Sequence, residues 1–322
     1  MWKKEVVITA IILSLFLGGE IGITSTPAAS LVTESGLRAA NPLNQPQVDY
    51  LYQLAKKLHP QDGTSYFGDN TVVDGDPLAI QGDTLVVGNS YHDGYTGTVY
   101  IFERNQGGGE NWGLVKQLFD LEGVEEDRFG SAVALDGDTL VVGADYADVN
   151  NGAILIFERD RGGTNNWGLV TRIGGSSDDS RFGISVSLNG DTLVVGASSV
   201  DYATGGAYIL ERDQGGSDNW GEVKMLTATD TTEYNAFGRA VAVEGDTVLV
   251  GAPWDEYGNP SDQGSVYVFE RDEGGAGNWG QVGKLIGDGD NGAKVGSALA
   301  LEGDLLAVGA PGYSPGLGSA IG

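Results

Sequence analysis

Short apolar runs separated by turn residues recur along most of this chain, and one stretch shows the pattern clearly. Run A is Ser131-Ala132-Val133-Ala134-Leu135, run B is Thr139-Leu140-Val141-Val142, run C is Ala153-Ile154-Leu155-Ile156-Phe157, and run D extends from Trp167 to Ile173. Runs this short and this rich in β-branched and aromatic residues predict strands. A and B are joined by two residues of the Asp136-Gly137 or Asn189-Gly190 kind, which tolerate the positive φ of a tight hairpin. C and D are joined across Gly162-Gly163, Gly215-Gly216 or Gly274-Gly275. Each unit is therefore expected to be an antiparallel four-strand meander. Runs B and C are apolar at nearly every position, so both faces of each sheet must be covered.

The unit repeats. Gly-Asp-Thr-Leu-Val-Val-Gly stands at 82–88, 137–143 and 190–196, with variants at 245–251 and 303–309. The aspartates at 83, 138, 191, 246 and 304 are 55, 53, 55 and 58 residues apart. Asn-Trp-Gly begins at 111, 166, 219 and 278, and Phe-Gly stands at 129, 182 and 237, with Val295-Gly296 in that place in the last copy. Three markers in one order and one period define a repeat. Four strands per period, each sheet packed between two neighbours, predict an all-β propeller of four-stranded antiparallel blades with five repeats visible. A β-solenoid is the alternative, but its repeats are usually shorter.

These markers resemble the FG-GAP repeat of integrin α-chain N-terminal propellers and of many bacterial exported proteins. Phe237-Gly238 with Gly251-Ala252-Pro253, Phe129-Gly130 with Gly143-Ala144, Phe182-Gly183 with Gly196-Ala197, and Gly309-Ala310-Pro311 carry the resemblance. It covers about residues 50–322 and implies the fold more strongly than the function. Two departures matter. The Asp-x-Asp-x-Asp-Gly calcium loop frequent in that family is replaced by the turn around Asp136-Gly137-Asp138, too short for calcium's six or more oxygens. No metal site is carried over, and Asp288–Gly292 reads as a surface turn. The first unit is also irregular, because Asn70-Thr71-Val72-Val73 has no counterpart elsewhere.

The ends leave alternatives open. Residues 52–58 read as a strand D or as a short helix. As a strand, they would pair with the last A-B-C runs and seal a fifth blade. The integrin family has seven blades, so a closed five-blade ring and a fragment of a seven-blade ring both fit. Lys3 and Lys4 precede an apolar run from Val6 to Leu17 and small residues at 26–30. That is the pattern of a signal peptide over 1–30, shorter than a comfortable membrane anchor. A linker over 31–46 and repeats over 47–322 follow. The expected location is secreted or cell surface, with no membrane insertion after signal cleavage.

Composition narrows the chemistry. The net charge of −27 disfavours nucleic acid and anionic membranes. With no cysteine, thiolate and Cys-metal sites are excluded, and His59 and His92 are too few for a multi-histidine metal site. No cofactor is expected. The recurring tryptophans (112, 167, 220, 279) read as blade packing, and the Glu-Arg pairs (103–104, 158–159, 211–212, 270–271) as inter-blade ion pairs. Neighbouring strand residues face opposite ways, so the members of a pair should not meet each other.

Variation is uneven along the repeat. A–B and C–D connections are nearly constant, whereas B–C and D–A connections differ and lie together at the other end of the meander. Loops on a rigid scaffold are where binding usually resides. The candidate ligand-binding residues are Tyr91, Asp93 and Tyr95, beside His92; Tyr146 and Asp148; Asp201 and Tyr202; Trp254, Asp255 and Tyr257, beside Glu256; and Tyr313. Amphipathic aromatics suit recognition surfaces and sugar stacking. No catalytic residue is expected, because no unit carries a nucleophile with its base. The expected function is a non-catalytic binding or adhesion module for an extracellular protein or glycan. The competing readings are a structural module of a larger exported protein and a propeller hydrolase.

Overall fold

The computed structural model describes residues 77–106, 108, 112–176, 180–217, 219–230, 232–256, 262–286, 292–303, 305–312 and 319–321, all within one compact unit that begins at Pro60. The signal-peptide and linker segments, residues 52–58, Asn70–Val73, Asp288–Asn291, Tyr257 and Tyr313 lie outside the described residues.

Every long element is a strand. Blade 1 comprises β1 (Leu78–Gln81), β2 (Thr84–Asn89), β3 (Thr98–Arg104) and β4 (Trp112–Leu118). Blade 2 comprises β5 (Phe129–Asp136), β6 (Thr139–Ala144), β7 (Ala153–Glu158) and β8 (Gly168–Gly174). Blade 3 comprises β9 (Phe182–Asn189), β10 (Thr192–Ala197), β11 (Gly206–Glu211) and β12 (Gly221–Leu226). Blade 4 comprises β13 (Ala240–Glu244), β14 (Thr247–Ala252), β15 (Ser265–Glu270) and β16 (Gly280–Ile286), and a last sheet holds β17 (Ala298–Glu302), β18 (Leu305–Ala310) and β19 (Ser319–Ile321). Each of the first four sheets pairs its strands in sequence order, and all pairings are antiparallel. This is the meander expected from the runs. The protein is all-β, with five sheets in the series of a β-propeller.

The sheets stack as the apolar B and C runs require. Strand A of each blade packs on strand A of the next: β1 on β5, β5 on β9, β9 on β13 and β13 on β17. A core layer fills each gap. Val86, Val99 and Ile101 meet Phe129, Leu140 and Trp167 between blades 1 and 2, and Val194, Ile209 and Phe237 meet Val248, Tyr267 and Trp279 between blades 3 and 4. Six-residue runs such as Thr139–Ala144 are buried at every position. The last sheet differs on its outer side, where Ala298, Ala300, Leu305 and Ala307 are exposed.

Glycine explains how closely the blades approach. A Cβ on Gly143 would sit 2.1 Å from the Gly183 carbonyl oxygen, and one on Gly88 would sit 2.1 Å from that of Gly130. The glycine of one blade's Val-Val-Gly thus lies against the Phe-Gly of the next, backbone on backbone. Both glycine markers are answers to one contact, and a side chain there would wedge the blades apart.

The constant turns lock the same stack at one end. Arg159 ion-pairs with Glu103 of the preceding blade at 2.5 Å and with Asp138 of its own A–B turn at 3.0 Å, donates to Thr84, and lies 4.6 Å over Trp167. Arg212 repeats this with Glu158, Asp191, Thr139 and Trp220, and Arg271 with Glu211, Asp246, Thr192 and Trp279. Each arginine reaches past its sequence neighbour to the blade before, as strand parity demands. A second ladder runs beside the first. Asp136, Asn189 and Glu244 each accept from the turn glycine one blade on: Gly190, Gly245 and Gly303.

Candidate functional site

The other end of the sheets carries the B–C and D–A connections. In the first three blades the B–C connection is a short turn whose three central residues are left-handed: Asp93, Gly94 and Tyr95; Asp148, Val149 and Asn150; Asp201, Tyr202 and Ala203. Such conformations cost L-residues about 1–2 kcal/mol each. Neighbouring blades supply the compensation. Arg128 N–H donates to Tyr95 O at 2.8 Å, Arg181 N–H to Asn150 O at 3.0 Å and Ala236 N–H to Ala203 O at 2.8 Å. Each B–C turn is thus stitched to the start of the next strand A. Aspartate opens all three left-handed runs, and it tolerates that conformation better than most residues. The recurrence of Asp93, Asp148 and Asp201 therefore has a backbone reason.

The turns share a backbone and differ in side chains. Three residues after the Val-Val-Gly glycine stand Tyr91, Tyr146, Ser199 and Trp254. The last three share one bond to the connection that enters their own blade, with their N–H donating to Asp127 O, Ser180 O and Asn235 O. Tyr146 lies between two guanidinium groups, Arg128 at 3.8 Å and Arg181 at 4.8 Å from its ring centre. Trp254 has Lys294 at 5.7 Å. These cations all immediately precede the Phe-Gly slot and share a left-handed backbone: Arg128, Arg181 and Lys294. In blade 3 the equivalent slot holds a serine.

A cleft of about 490 Å³ opens there, between blades 3 and 4. Its size lies in the range of small-molecule sites. Arg181, Trp254, Ser199, Ala203 and Ala236 line it. Tyr234, Glu233 and Glu256 stand at its rim, exposed. Tyr234 is itself left-handed and 67% exposed, its N–H held by Tyr202 O at 3.1 Å.

Charged groups fix the connections at this end of the blades. Asp145 is buried and ion-pairs with Arg181 at 2.5 Å; burial pushes its carboxyl above the usual range, and the guanidinium pulls it partly back. In blade 2, Arg172 joins Asp120 at 3.4 Å to Asp148 at 2.9 Å. In blade 4, Lys284 contacts both Asp230 and Asp255 at 2.7 Å. Burial and those two carboxylates push the Tyr267 hydroxyl far up, so it stays a hydrogen-bond donor.

The structure sorts the sequence candidates. Tyr91 and Tyr95 pack on each other at 5.0 Å, and His92 lies 6.1 Å from Phe119. Tyr146 is half-buried in its cation sandwich, and Asp148 is ion-paired. Asp201 and Tyr202 are exposed, Tyr202 by 73%. Trp254 forms a wall of the cleft. Asp255, expected at the loop surface, is instead 2% exposed. It accepts from Asn235 at 2.7 Å, Ser265 at 2.6 Å and Tyr267 at 3.2 Å, and these bonds hold the loop in place. Sequence reading passed over Arg181, Tyr234 and the cations before Phe-Gly. Arg128-Phe129, Arg181-Phe182 and Lys294-Val295 were a recurring signal.

Among the described residues, no group of three or more His, Asp or Glu side chains is placed to hold a metal, and no helix is long and apolar enough to cross a membrane.

Comparison with known proteins finds the same repeat. The FG-GAP repeat matches at residues 112–157, 172–210 and 220–269. The first segment runs from β4 to β7, so the matched unit starts with strand D of one blade and ends with strand C of the next. No curated protein matches the chain. Among solved structures it is similar to Kuenenia stuttgartiensis hydrazine synthase, at 16% identity over 74% of this chain and 68% of that one, with a TM-score of 0.47. The repeat read from the chain's own markers is the FG-GAP repeat, which the family model matches at these three places.

Proposed function

We propose that this protein is an exported, non-catalytic binding module that recognises an extracellular protein or glycan through the B–C and D–A connections at one end of its blades. One observation carries the reading. The two ends use the same repeat differently: one consumes its charged side chains in inter-blade bonds, and the other presents unlike residues on a rigid shared backbone. Tyr202, Tyr234, Asp201 and Glu256 stand exposed there, next to the cleft walled by Trp254. FG-GAP repeats are common in extracellular and cell-surface proteins and commonly serve binding, which agrees with this placement.

The test is capture on arrays of glycans and of surface proteins. Binding that is lost in Trp254→Ala and Tyr202→Ala, with thermal unfolding unchanged, supports the reading. Capture that survives both changes, or turnover of a substrate in a hydrolase panel, overturns it.

A second reading, a structural module that assembles with further sheets, is favoured by the uncovered outer side of the last sheet. Ala307 and Leu305 are exposed there, whereas Val141 and Thr139 at the same positions of blade 2 are buried. Leu305→Glu tests this reading, which expects the variant to lose an association seen in sedimentation of the unmodified chain.

A further inference from the structure

The cleft between blades 3 and 4 has a shape that the neighbouring blade explains. In blade 2 the slot three residues after Val-Val-Gly holds Tyr146, packed between Arg128 and Arg181. In blade 3 the same backbone slot holds Ser199: its φ and ψ are −105° and −1°, against −110° and 0° at Tyr146. The cation that would precede the next Phe-Gly is also replaced, by Ala236, with φ of 52° against 61° at Arg128. Two large side chains of the blade 2 stack are thus matched by small ones in blade 3 while the backbone is kept. What results is the cleft, lined by both Arg181 and Trp254.

We propose that this cleft binds the aromatic ring of a tyrosine on a partner peptide, in the place the protein's own repeat gives to Tyr146. The inference rests on the binding-module reading and adds the ligand's chemistry. Guanidinium and indole walls favour a planar π-face, through cation–π attraction and ring stacking. Polar groups line the remainder, among them Thr232, Asn235, Glu256 and Asp262. The three acids Glu233, Glu256 and Asp262 against Arg181 and Arg239 leave the lining net negative, as is the whole chain. A peptide whose tyrosine is flanked by lysines fits that field better than a free phenol or an acidic sequence.

Three probes separate the sources in saturation-transfer NMR on the intact chain: acetyl-Lys-Tyr-Lys-amide, p-cresol and maltotriose. The expected result is transfer to the tyrosine ring protons, stronger for the peptide than for p-cresol at low salt, with the gap closing as salt rises. Ser199→Tyr fills the slot and is expected to weaken peptide binding at least about fivefold while holding or raising the melting temperature. Should that variant fail to fold, Trp254→Ala removes the indole and is expected to cause a similar loss. Ser199→Ala should bind like the unmodified chain. Absence of transfer to the peptide ring overturns the inference, as does transfer that Ser199→Tyr and Trp254→Ala leave unchanged. Equal response from p-cresol at all salts overturns the peptide assignment, and a response from maltotriose alone assigns the cleft to glycans. Array capture that persists without ring binding sinks this inference and leaves the broader reading standing.

Discussion

The two ends of each blade are made by one repeat, yet they divide its work. At the A–B and C–D end, Arg159, Arg212 and Arg271 occupy equivalent positions and make equivalent bonds to the blade before. At the B–C and D–A end the backbone also repeats, down to the left-handed triplets, but beyond the opening aspartates and the cations before Phe-Gly its side chains do not. A chain under demand for packing alone has no reason to keep one end uniform and let the other drift. The difference teaches where to look for recognition: positions at which the backbone is held and the side chain is free to change.

The largest expected effect comes from the constant end. Trp167 is 2% exposed and joins the core between blades 1 and 2, with Arg159 over its ring. Trp167→Ala should cost about 3–5 kcal/mol, measured by urea unfolding. A cost near that of a surface change would mean that the tryptophans do not hold the blades.

Arg212→Ala is next. It removes the ion pair with Glu158, the bond to Thr139 and the stacking on Trp220, leaving the half-buried Glu158 carboxylate only the longer contact with Arg161 at 3.8 Å. The expected cost is about 1–3 kcal/mol. Arg212→Lys should recover little of it, because a point charge cannot bridge three partners in one plane. At the variable end, Tyr202→Ala should change stability by no more than about 0.5 kcal/mol, since the ring is exposed. If the two variants cost the same, the division between the ends collapses.

The sequence showed the constant end well and the variable end poorly, for one physical reason. Inter-blade contacts repeat with the period, so Trp167, Glu103, Arg159 and the Phe-Gly slot announce themselves by recurrence. Strand order followed from turn chemistry such as Asp136-Gly137. The cleft is a departure from the period and has no recurrence to betray it. Ser199 is an ordinary residue until it is set against Tyr146 in the same backbone slot. Asp255 misled for the opposite reason, because an acid in a loop reads as exposed, and only the fold turns it toward Asn235, Ser265 and Lys284. Arg181 was legible only in part: its place before Phe182 recurs, but its proximity to Tyr146 depends on how adjacent blades meet.

Backbone strain gives a smaller, opposite prediction. Val149 is 90% exposed and β-branched, yet it sits at φ 61° in a left-handed turn. Asparagine tolerates that region far better. Val149→Asn should raise stability by up to about 1 kcal/mol. A loss instead would show that the valine makes a contact worth more than the strain, and the turn would cease to be a frame for exchangeable side chains.

A last effect is tied to pH. Burial alone would raise the Asp230 carboxyl, but hydrogen bonds from Lys284 and Tyr267 outweigh it and hold the group below 3.8. Lys284 is held above 10.5 by the same pairing with Asp230 and Asp255, against burial. A lowered carboxylate contributes stability that is present above its unfolded value and lost as pH falls through its folded one. A raised ammonium contributes below its unfolded value and loses that contribution as pH rises through its folded one. The Asp230–Lys284 pair therefore stabilises blade 4 across the neutral range. Asp230 is half exposed, so solvent limits the gain, and Asp230→Asn should cost no more than about 1 kcal/mol at neutral pH. The difference from the unmodified chain should vanish on acidification below the ordinary aspartate range, and urea unfolding at several pH values reads it directly. A difference that persisted in acid would mean that the amide disturbs the loop by shape and not by charge. Asp230 would then join Asp255 as a holder of the variable connections, in place of a surface partner for Lys284.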